Sequence, residues 1–433
     1  MSNLKKVLII TYYWPPAGGP GVQRVLKFTK YLPEFGWQPI ILTVEKGEYP
    51  AIDESLIDEI PQSIKVFKTK AIEPFSIYRK LAGDIKNQPI PVGVLAQSGG
   101  SLKQRVANFI RLNIIIPDAK IGWKFYAVKE GQKIIDLEKP DLIFSSSPPP
   151  TAHLIAKTLA ERNKIKWIAD LRDPWSKIHY YKNNRLKTAH KIDERLESKT
   201  LSAADKVITV SEDFSKLIAV NKDKIEIIPN GFDNEDITDL DNRLKDSSVF
   251  QLTYVGGLNE NRFYPQFFEQ LAVFAKQASF TKQRIKLTFV GSISQNIMDK
   301  LNTILGNDTI TIDFKGYLGH KEALKIMFES DLLLLFTEKV SHYSGHIPGK
   351  LFEYISTGNF ILGIGDKSGN ANQILQELEG GIIVDQNHNF IELLNEIHSK
   401  WQSGNLKGSD PQKIEKFSRK NLTKQLTEIF YKV

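Results

Sequence analysis

Several loops in this sequence carry small and charged residues at the ends of short apolar runs, where a parallel sheet opens onto a ligand. Tyr254-Val255-Gly256-Gly257-Leu258 is followed by Asn261-Arg262, while Val290-Gly291-Ser292 and Phe314-Lys315-Gly316-Tyr317 end two further runs. Ser344-Gly345-His346-Ile347-Pro348-Gly349-Lys350-Leu351-Phe352-Glu353-Tyr354 then enters a helical stretch. A loop of this kind, His346 included, offers backbone amides, the Lys350 ammonium and the Glu353 carboxylate. Cations and amides neutralise a diphosphate, and a carboxylate accepts from both hydroxyls of a ribose, so a phosphorylated sugar is the ligand this chemistry suits.

The first half has its own candidates. Tyr12-Tyr13-Trp14-Pro15-Pro16-Ala17-Gly18-Gly19-Pro20-Gly21 runs from a strand into a helix, so that backbone N–H groups and the helix N-terminus can face an anion, or simply turn the chain. It is not the dinucleotide fingerprint, because Arg24 stands where the third glycine would fall. Asp170-Leu171-Arg172-Asp173 sits directly beyond an apolar run, and reads either as two functional carboxylates around an arginine or as a salt-bridged loop with Asp173 capping a turn. His153 follows Ser145-Ser146-Ser147-Pro148-Pro149-Pro150 and is either catalytic or structural. His342 and His346 are four apart, but Gly345 and Pro348 argue against a helix that would make them a metal pair, and Asp239-Leu240-Asp241 lies in a polar linker instead of at a strand end. No metal is expected.

The elements that must position these residues alternate. Strand Val7 to Thr11, helix Gln23 to Phe35 closed by Gly36, and strand Gln38 to Val44 form the first unit. A less regular stretch covers about 46 to 125. Helix 122 to 137, strand 141 to 145, helix 152 to 162, strand 166 to 169, helix 185 to 203 and strand 206 to 210 follow, with Ser211 as a helix N-cap. After the polar segment 233 to 248 the alternation restarts, with strands predicted at 250–255, 285–290, 309–314, 331–336, 359–364 and 381–384, and helices at 264–277, 320–329, 350–356 and 372–379. The pattern predicts an α/β protein of two doubly wound units in series, with a ligand cleft where they face one another.

The 433 residues, 41% apolar and 25% charged, have the balance of a globular protein of two domains. Without a single cysteine, a disulfide framework, a thiolate nucleophile and a cysteine metal site are excluded together. No apolar run reaches membrane-spanning length and the N-terminus lacks a cleavage-site pattern, so a cytoplasmic protein is expected. Of the net charge of +8, residues 1–200 carry +12 (32 basic, 20 acidic) and residues 201–433 carry −4 (26 basic, 30 acidic). The basic half either meets an anionic partner, such as an acidic membrane surface, or is solubilising surface. In Lys103 to Lys124, Lys103, Arg105, Arg111, Lys120 and Lys124 mix with Phe109, Ile110, Leu112, Ile114, Ile115, Ile116 and Trp123, the composition of a surface lying on anionic lipid or of a buried helix and strand. No nucleic-acid-binding signature accompanies it.

The ordered set Pro15-Pro16 with Gly18-Gly19, Val210-Ser211, Ile228-Pro229-Asn230-Gly231-Phe232-Asp233, Tyr254-Val255-Gly256 with Arg262, Gly316, and Pro348-Gly349-Lys350-Leu351-Phe352-Glu353-Tyr354 resembles family 4 glycosyltransferases of GT-B fold. The resemblance covers nearly the whole chain except 46 to 120. It implies a retaining, metal-independent transferase with a nucleotide diphosphate sugar as donor and a glycan or lipid-linked acceptor. It further implies an acceptor domain at 1–228, a donor domain at 229–410, and a last helix at 411–433 that crosses back. Glu353 matches the ribose-binding glutamate, Arg262 the basic residue on the diphosphate, and Gly18 and Gly19 the loop near the phosphates; Gly256, Gly291, Gly316, His346 and Lys350 complete the donor candidates. On position alone, His153, Asp170, Arg172 and Asp173 are the acceptor-side candidates. Two positions depart from the family: Gly257 stands where an arginine is usual, with Lys350 as compensation, and Gly345 where a first glutamate is usual, which leaves the donor sugar open. An inactive scaffold protein and a sugar-nucleotide epimerase of the same fold are the rival expectations.

Overall fold

Val7-Leu8-Ile9-Ile10 is apolar on both faces, the pattern of a strand covered by helices above and below, and the computed structural model builds it so. Leu8 and Ile10 lie in one buried cluster with Trp123, Ala127 and Leu159, while Val7 and Ile9 lie in another with Val25, Leu26, Leu422 and Leu426. The structure describes residues 4–49, 51–72, 102–178, 181, 184–238, 248–277, 284–306, 309–338 and 347–433. His342, Gly345, His346 and the triplet Asp239-Leu240-Asp241 lie outside them.

The chain divides into two compact units, Met1–Pro229 with Arg419–Val433, and Asn230–Ser418. The first has strands β1 (Lys5–Thr11), β2 (Trp37–Val44), β3 (Lys65–Thr69), β4 (Leu142–Ser147), β5 (Lys166–Leu171), β6 (Lys206–Thr209) and β7 (Ile225–Ile227). They form one parallel sheet in the order β3-β2-β1-β4-β5-β6-β7. Its longer helices are α1 (Pro20–Tyr31), α2 (Leu102–Asn113), α3 (Trp123–Glu138), α4 (Thr151–Asn163) and α5 (Lys187–Leu201).

The second unit repeats the plan with β8 (Val249–Val255), α6 (Pro265–Ala275), β9 (Arg284–Val290), α7 (Gln295–Leu305), β10 (Ile310–Gly316) and α8 (His320–Glu329). It continues with β11 (Leu332–Phe336), α9 (Lys350–Ser356), β12 (Phe360–Ile364), α10 (Asn370–Glu377), β13 (Gly381–Val384) and α11 (Phe390–Gln402). The parallel order is β10-β9-β8-β11-β12-β13. In each sheet the chain first winds one way and then jumps back beside its starting strand. The switch points therefore fall between β1 and β4 and between β8 and β11, and the loops beyond those strand ends are where ligands bind in such sheets.

The last helix, α12 (Arg419–Tyr431), belongs to the first unit. Phe430 sets its ring edge-on to Trp37 at 5.1 Å and Lys420 pairs with Glu34 at 2.6 Å. Residues 411–418, expected to return with it, stay in the second unit, where Phe417 packs on Phe352 and accepts the Phe232 N–H. Ser211 caps the turn that follows β6 by accepting the Phe214 N–H.

Candidate functional site

In the second unit, the ends of β8, β9 and β10 are stitched by backbone bonds beyond the strands: Gly256 N–H to the Val290 carbonyl and Gly291 N–H to the Gly316 carbonyl, both at 2.7 Å. Gly291 has φ 124°, and a Cβ there would stand 2.5 Å from the Gly256 carbonyl oxygen, so glycine is required by the backbone itself. At Gly257 the reverse holds, since a Cβ would meet nothing closer than the Ser292 carbonyl at 3.9 Å. The missing arginine is therefore not a steric demand of the fold.

Helix α9 brings the charged residues to this edge. The Tyr354 phenol accepts the Val255 N–H at 2.8 Å and donates to the Leu334 carbonyl at 3.2 Å, fixing α9 across β8 and β11. Lys350, a turn earlier, donates to the Val255 carbonyl at 2.8 Å and places its Nζ 3.7 Å from the centre of the Tyr254 ring. Burial, and secondarily the Arg262 charge, hold its ammonium well below the ordinary lysine range, with Glu353 opposing them. Its Nζ lies 3.5 Å from where a Gly256 Cβ would be, so it reaches the strand end next to Gly257. Arg262 pairs with Glu338, the second residue beyond β11, at 3.1 Å, spanning the switch point. Glu353 Oε1 lies 3.1 Å from His320 Nε2 at the start of α8, both side chains partly exposed.

Arg262 with Glu338, Lys350, and Glu353 with His320 thus gather at this edge. Arg262, Lys350 and Glu353 were expected there, whereas His320, Glu338 and the Tyr254 and Tyr354 supports were not assigned from sequence. Pairing between α8 and α9 is a tertiary contact that no local pattern encodes. His320 at a predicted helix start beside a strand-end Gly316 was the only available signal.

The first-unit candidates separate. Asp170 is wholly buried on β5 and takes Arg24 Nε at 3.0 Å, Arg24 Nη2 at 2.8 Å and the Ser146 hydroxyl at 2.7 Å. Arg24 on α1 also donates to the carbonyls of Ile228 and Pro229. Both oxygens of Asp170 are committed to this tie between α1, β5 and the end of the unit, so it positions the loop that follows and does not face a ligand. His153 is equally buried: Nδ1 meets the Ser145 hydroxyl at 2.8 Å, the ring stacks on Trp175, and desolvation brings its pKa down to about 4 despite the Asp170 charge. It is a neutral core histidine.

Arg172 and Asp173, by contrast, reach the surface. The Arg172 guanidinium lies over the first turn of α1, with Nη1 1.6 Å from where a Gly21 Cβ would be, and its other end lies 3.3 Å from Asp173. The N-terminus of α1 carries no acidic residue and no side-chain cap, and Gly19 (φ 100°) is exposed with open space beside it. Arg172, paired with Asp173, thus covers a helix N-terminus that has no acidic residue of its own. Gly21→Ala isolates this arrangement: alanine improves helix propensity by about 1 kcal/mol while pushing the guanidinium aside. The expected result is an unchanged or raised melting temperature with weakened binding of a phosphate-bearing ligand; unchanged binding would remove Arg172 from the site. Among the described residues no cluster of three or more acidic or histidine side chains could hold a metal.

Two doubly wound parallel units, each with its charged loops beyond the strand ends of a switch point, define the GT-B class. Residues 77–236 match the family described as Glycosyltransferase Family 4. Solved structures share the fold at low identity. A glycosyltransferase from Rickettsia africae ESF-5 is 14% identical with TM-score 0.61, over 99% of this chain and 98% of that one. The E. coli trehalose-6-phosphate structure bound with UDP-2-fluoro glucose is 12% identical with TM-score 0.60, over 99% of each chain. The lipopolysaccharide outer core galactosyltransferase WaaB in its apo form is 14% identical with TM-score 0.57, over 99% and 100%. No curated protein sequence matches the chain.

Proposed function

We propose that this protein transfers a sugar, with retention and without a metal, from a nucleotide diphosphate sugar bound on the second unit to a glycan or lipid-linked acceptor, in the synthesis of a cell-surface polysaccharide or glycoconjugate. The observation that carries the reading is the convergence of Arg262, Lys350 and Glu353 around the end of β8. Glu353 keeps one carboxylate oxygen for ribose hydroxyls while the other faces His320. An arriving diphosphate would draw Arg262 from Glu338 and restore the full charge of Lys350, whose ammonium burial disfavours. These cations then stabilise the leaving group in place of a metal.

In the reaction the bond from the anomeric carbon to the diphosphate oxygen breaks as the acceptor oxygen bonds to the same face of that carbon, and the acceptor proton passes to the departing phosphate. Arg172 and the Gly18-Gly19 loop are the anion-holding part of the first unit. In this reading Asp173 accepts a hydrogen bond from the acceptor hydroxyl.

A thermal-shift panel of UDP-, GDP-, ADP- and dTDP-sugars tests the donor site, since a ligand at about 100 times its Kd adds about 2.7 kcal/mol of stability. Turnover with the stabilising donor should survive EDTA. Loss of turnover in the chelator, restored by a divalent ion, overturns the assignment to Arg262 and Lys350. Release of an epimerised nucleotide sugar without acceptor identifies an epimerase instead, and stabilisation by no nucleotide sugar at all leaves the scaffold reading.

A further inference from the structure

The loops that leave β1 and β2 are bound to one another. Gly18 N–H donates to the Ala51 carbonyl at 2.9 Å, Asp53 N–H to the Pro16 carbonyl at 2.8 Å, and Glu48 N–H to the Tyr12 phenol oxygen at 3.1 Å. A third segment joins them: Lys120 gives its Nζ to Glu48 Oε2 at 3.0 Å and holds it 5.1 Å from the centre of the Tyr12 ring. That segment is fixed in turn to the start of α4, because Asp118 accepts the Lys120 N–H with one oxygen and the Thr151 N–H and hydroxyl with the other. The loops beyond β1, β2 and β4 are therefore held together at the switch point of the first sheet. Lys120 and Trp123, which composition places on a lipid-facing surface or in a buried helix, are both interior. The Trp123 indole N–H donates to Thr69, and its ring stands edge-on to Tyr12 at 5.5 Å.

On this fixed floor stand two tyrosines that the interior does not absorb. Tyr12 is wholly buried, but Tyr13 and Tyr49 are partly exposed. Tyr13 lies edge-on to Tyr12 at 5.2 Å, and Tyr49 lies 6.3 Å from each of them. Aromatic surface left at a strand end, beside a carboxylate and an ammonium, has the chemistry of a sugar site. The C–H groups on one face of a pyranose carry partial positive charge and are drawn to the negative face of an aromatic ring, while its hydroxyls bond to the charged pair at the edge. The Glu48–Lys120 pair is neutral as it stands, which suits hydroxyls better than an anion.

We propose that Tyr13 and Tyr49 form a shelf on which a pyranose ring of the acceptor stacks, with Glu48 and Lys120 bonding its hydroxyls. The inference rests on the proposed transferase activity, and within it selects a saccharide as the acceptor class over a lipid phosphate.

Saturation-transfer NMR of the full chain with the methyl α- and β-pyranosides of glucose, galactose, mannose and N-acetylglucosamine reads the shelf without any donor. At least one glycoside should receive saturation at the ring protons of one face, and Tyr13→Ala and Tyr49→Ala should each raise its Kd about tenfold. Tyr49→Phe keeps the ring and should bind like the unmodified protein. Tyr431→Ala, which removes an exposed tyrosine at the opposite end of β2, 5.5 Å from Trp37, should change nothing. Melting curves accompany each variant, and if Tyr13→Ala does not fold, Tyr49→Ala decides. The nucleotide-sugar thermal shift on the same proteins keeps the two readings apart. It should be the same in Tyr49→Ala, and its absence from the unmodified protein would remove the transferase activity while the saccharide site stands. No saturation of any glycoside, or an affinity indifferent to Tyr49→Ala, overturns the shelf.

Discussion

Asp170→Asn should destabilise the first unit by about 3–5 kcal/mol in denaturant unfolding, while nucleotide binding by the folded protein stays as it was. The size follows from what is left behind. Arg24 is wholly buried and gives Asp170 its Nε and Nη2, so removing the carboxylate charge strands a guanidinium where water cannot reach it. Replacing both partners with apolar residues of similar size, Arg24→Met with Asp170→Leu, should cost much less than the sum of the single changes, because no charge is then left unpaired. A catalytic Asp170 would behave differently. An Asp170→Asn protein with unchanged stability and no transfer activity would return Asp170 to the chemistry and remove the structural reading of the Arg24 tie.

This pair also shows what a sequence can and cannot disclose. Buried strands such as Leu332–Phe336 and Phe360–Ile364 are legible because burial on both faces imposes unbroken apolar runs, and helices such as His320–Glu329 and Lys350–Ser356 fall at their predicted bounds. β3, Lys65–Thr69, was not read because it is an edge strand with lysines at 65 and 68, and α7 was missed among its polar residues. For the site, loops at strand ends were recognisable as such, since position in an α/β alternation fixes which end of the sheet they occupy. What each side chain does there was not. Asp170, Arg172 and Asp173 stand side by side in sequence, yet strand geometry sends Asp170 inward to Arg24 and leaves Arg172 to cover Gly21. Arg24 itself was noted only as the residue that spoils a glycine fingerprint, because its partner lies 146 residues away.

Glu353→Ala should weaken binding of the free nucleotide and of the nucleotide sugar alike, by about 10- to 150-fold, because charge-assisted hydrogen bonds to ribose are worth roughly 1.5–3 kcal/mol and are made in both complexes. The contact with His320, 3.1 Å from Oε1, adds a second expectation. His320→Ala leaves the carboxylate in place but unrestrained, so it should weaken both ligands by a smaller factor, and in the Glu353→Ala background it should have no further effect on affinity. A glutamate that merely anchors α9 to α8 predicts another outcome: Glu353→Ala and His320→Ala would each lower the melting temperature by a similar amount, the double variant would lose no more than either, and nucleotide affinity would be untouched. Calorimetric titration of the single and double variants, alongside their melting curves, separates the two, since only a ribose-holding carboxylate couples His320 to affinity through Glu353. Unchanged affinity in a folded Glu353→Ala protein would take away the residue on which the donor site most depends.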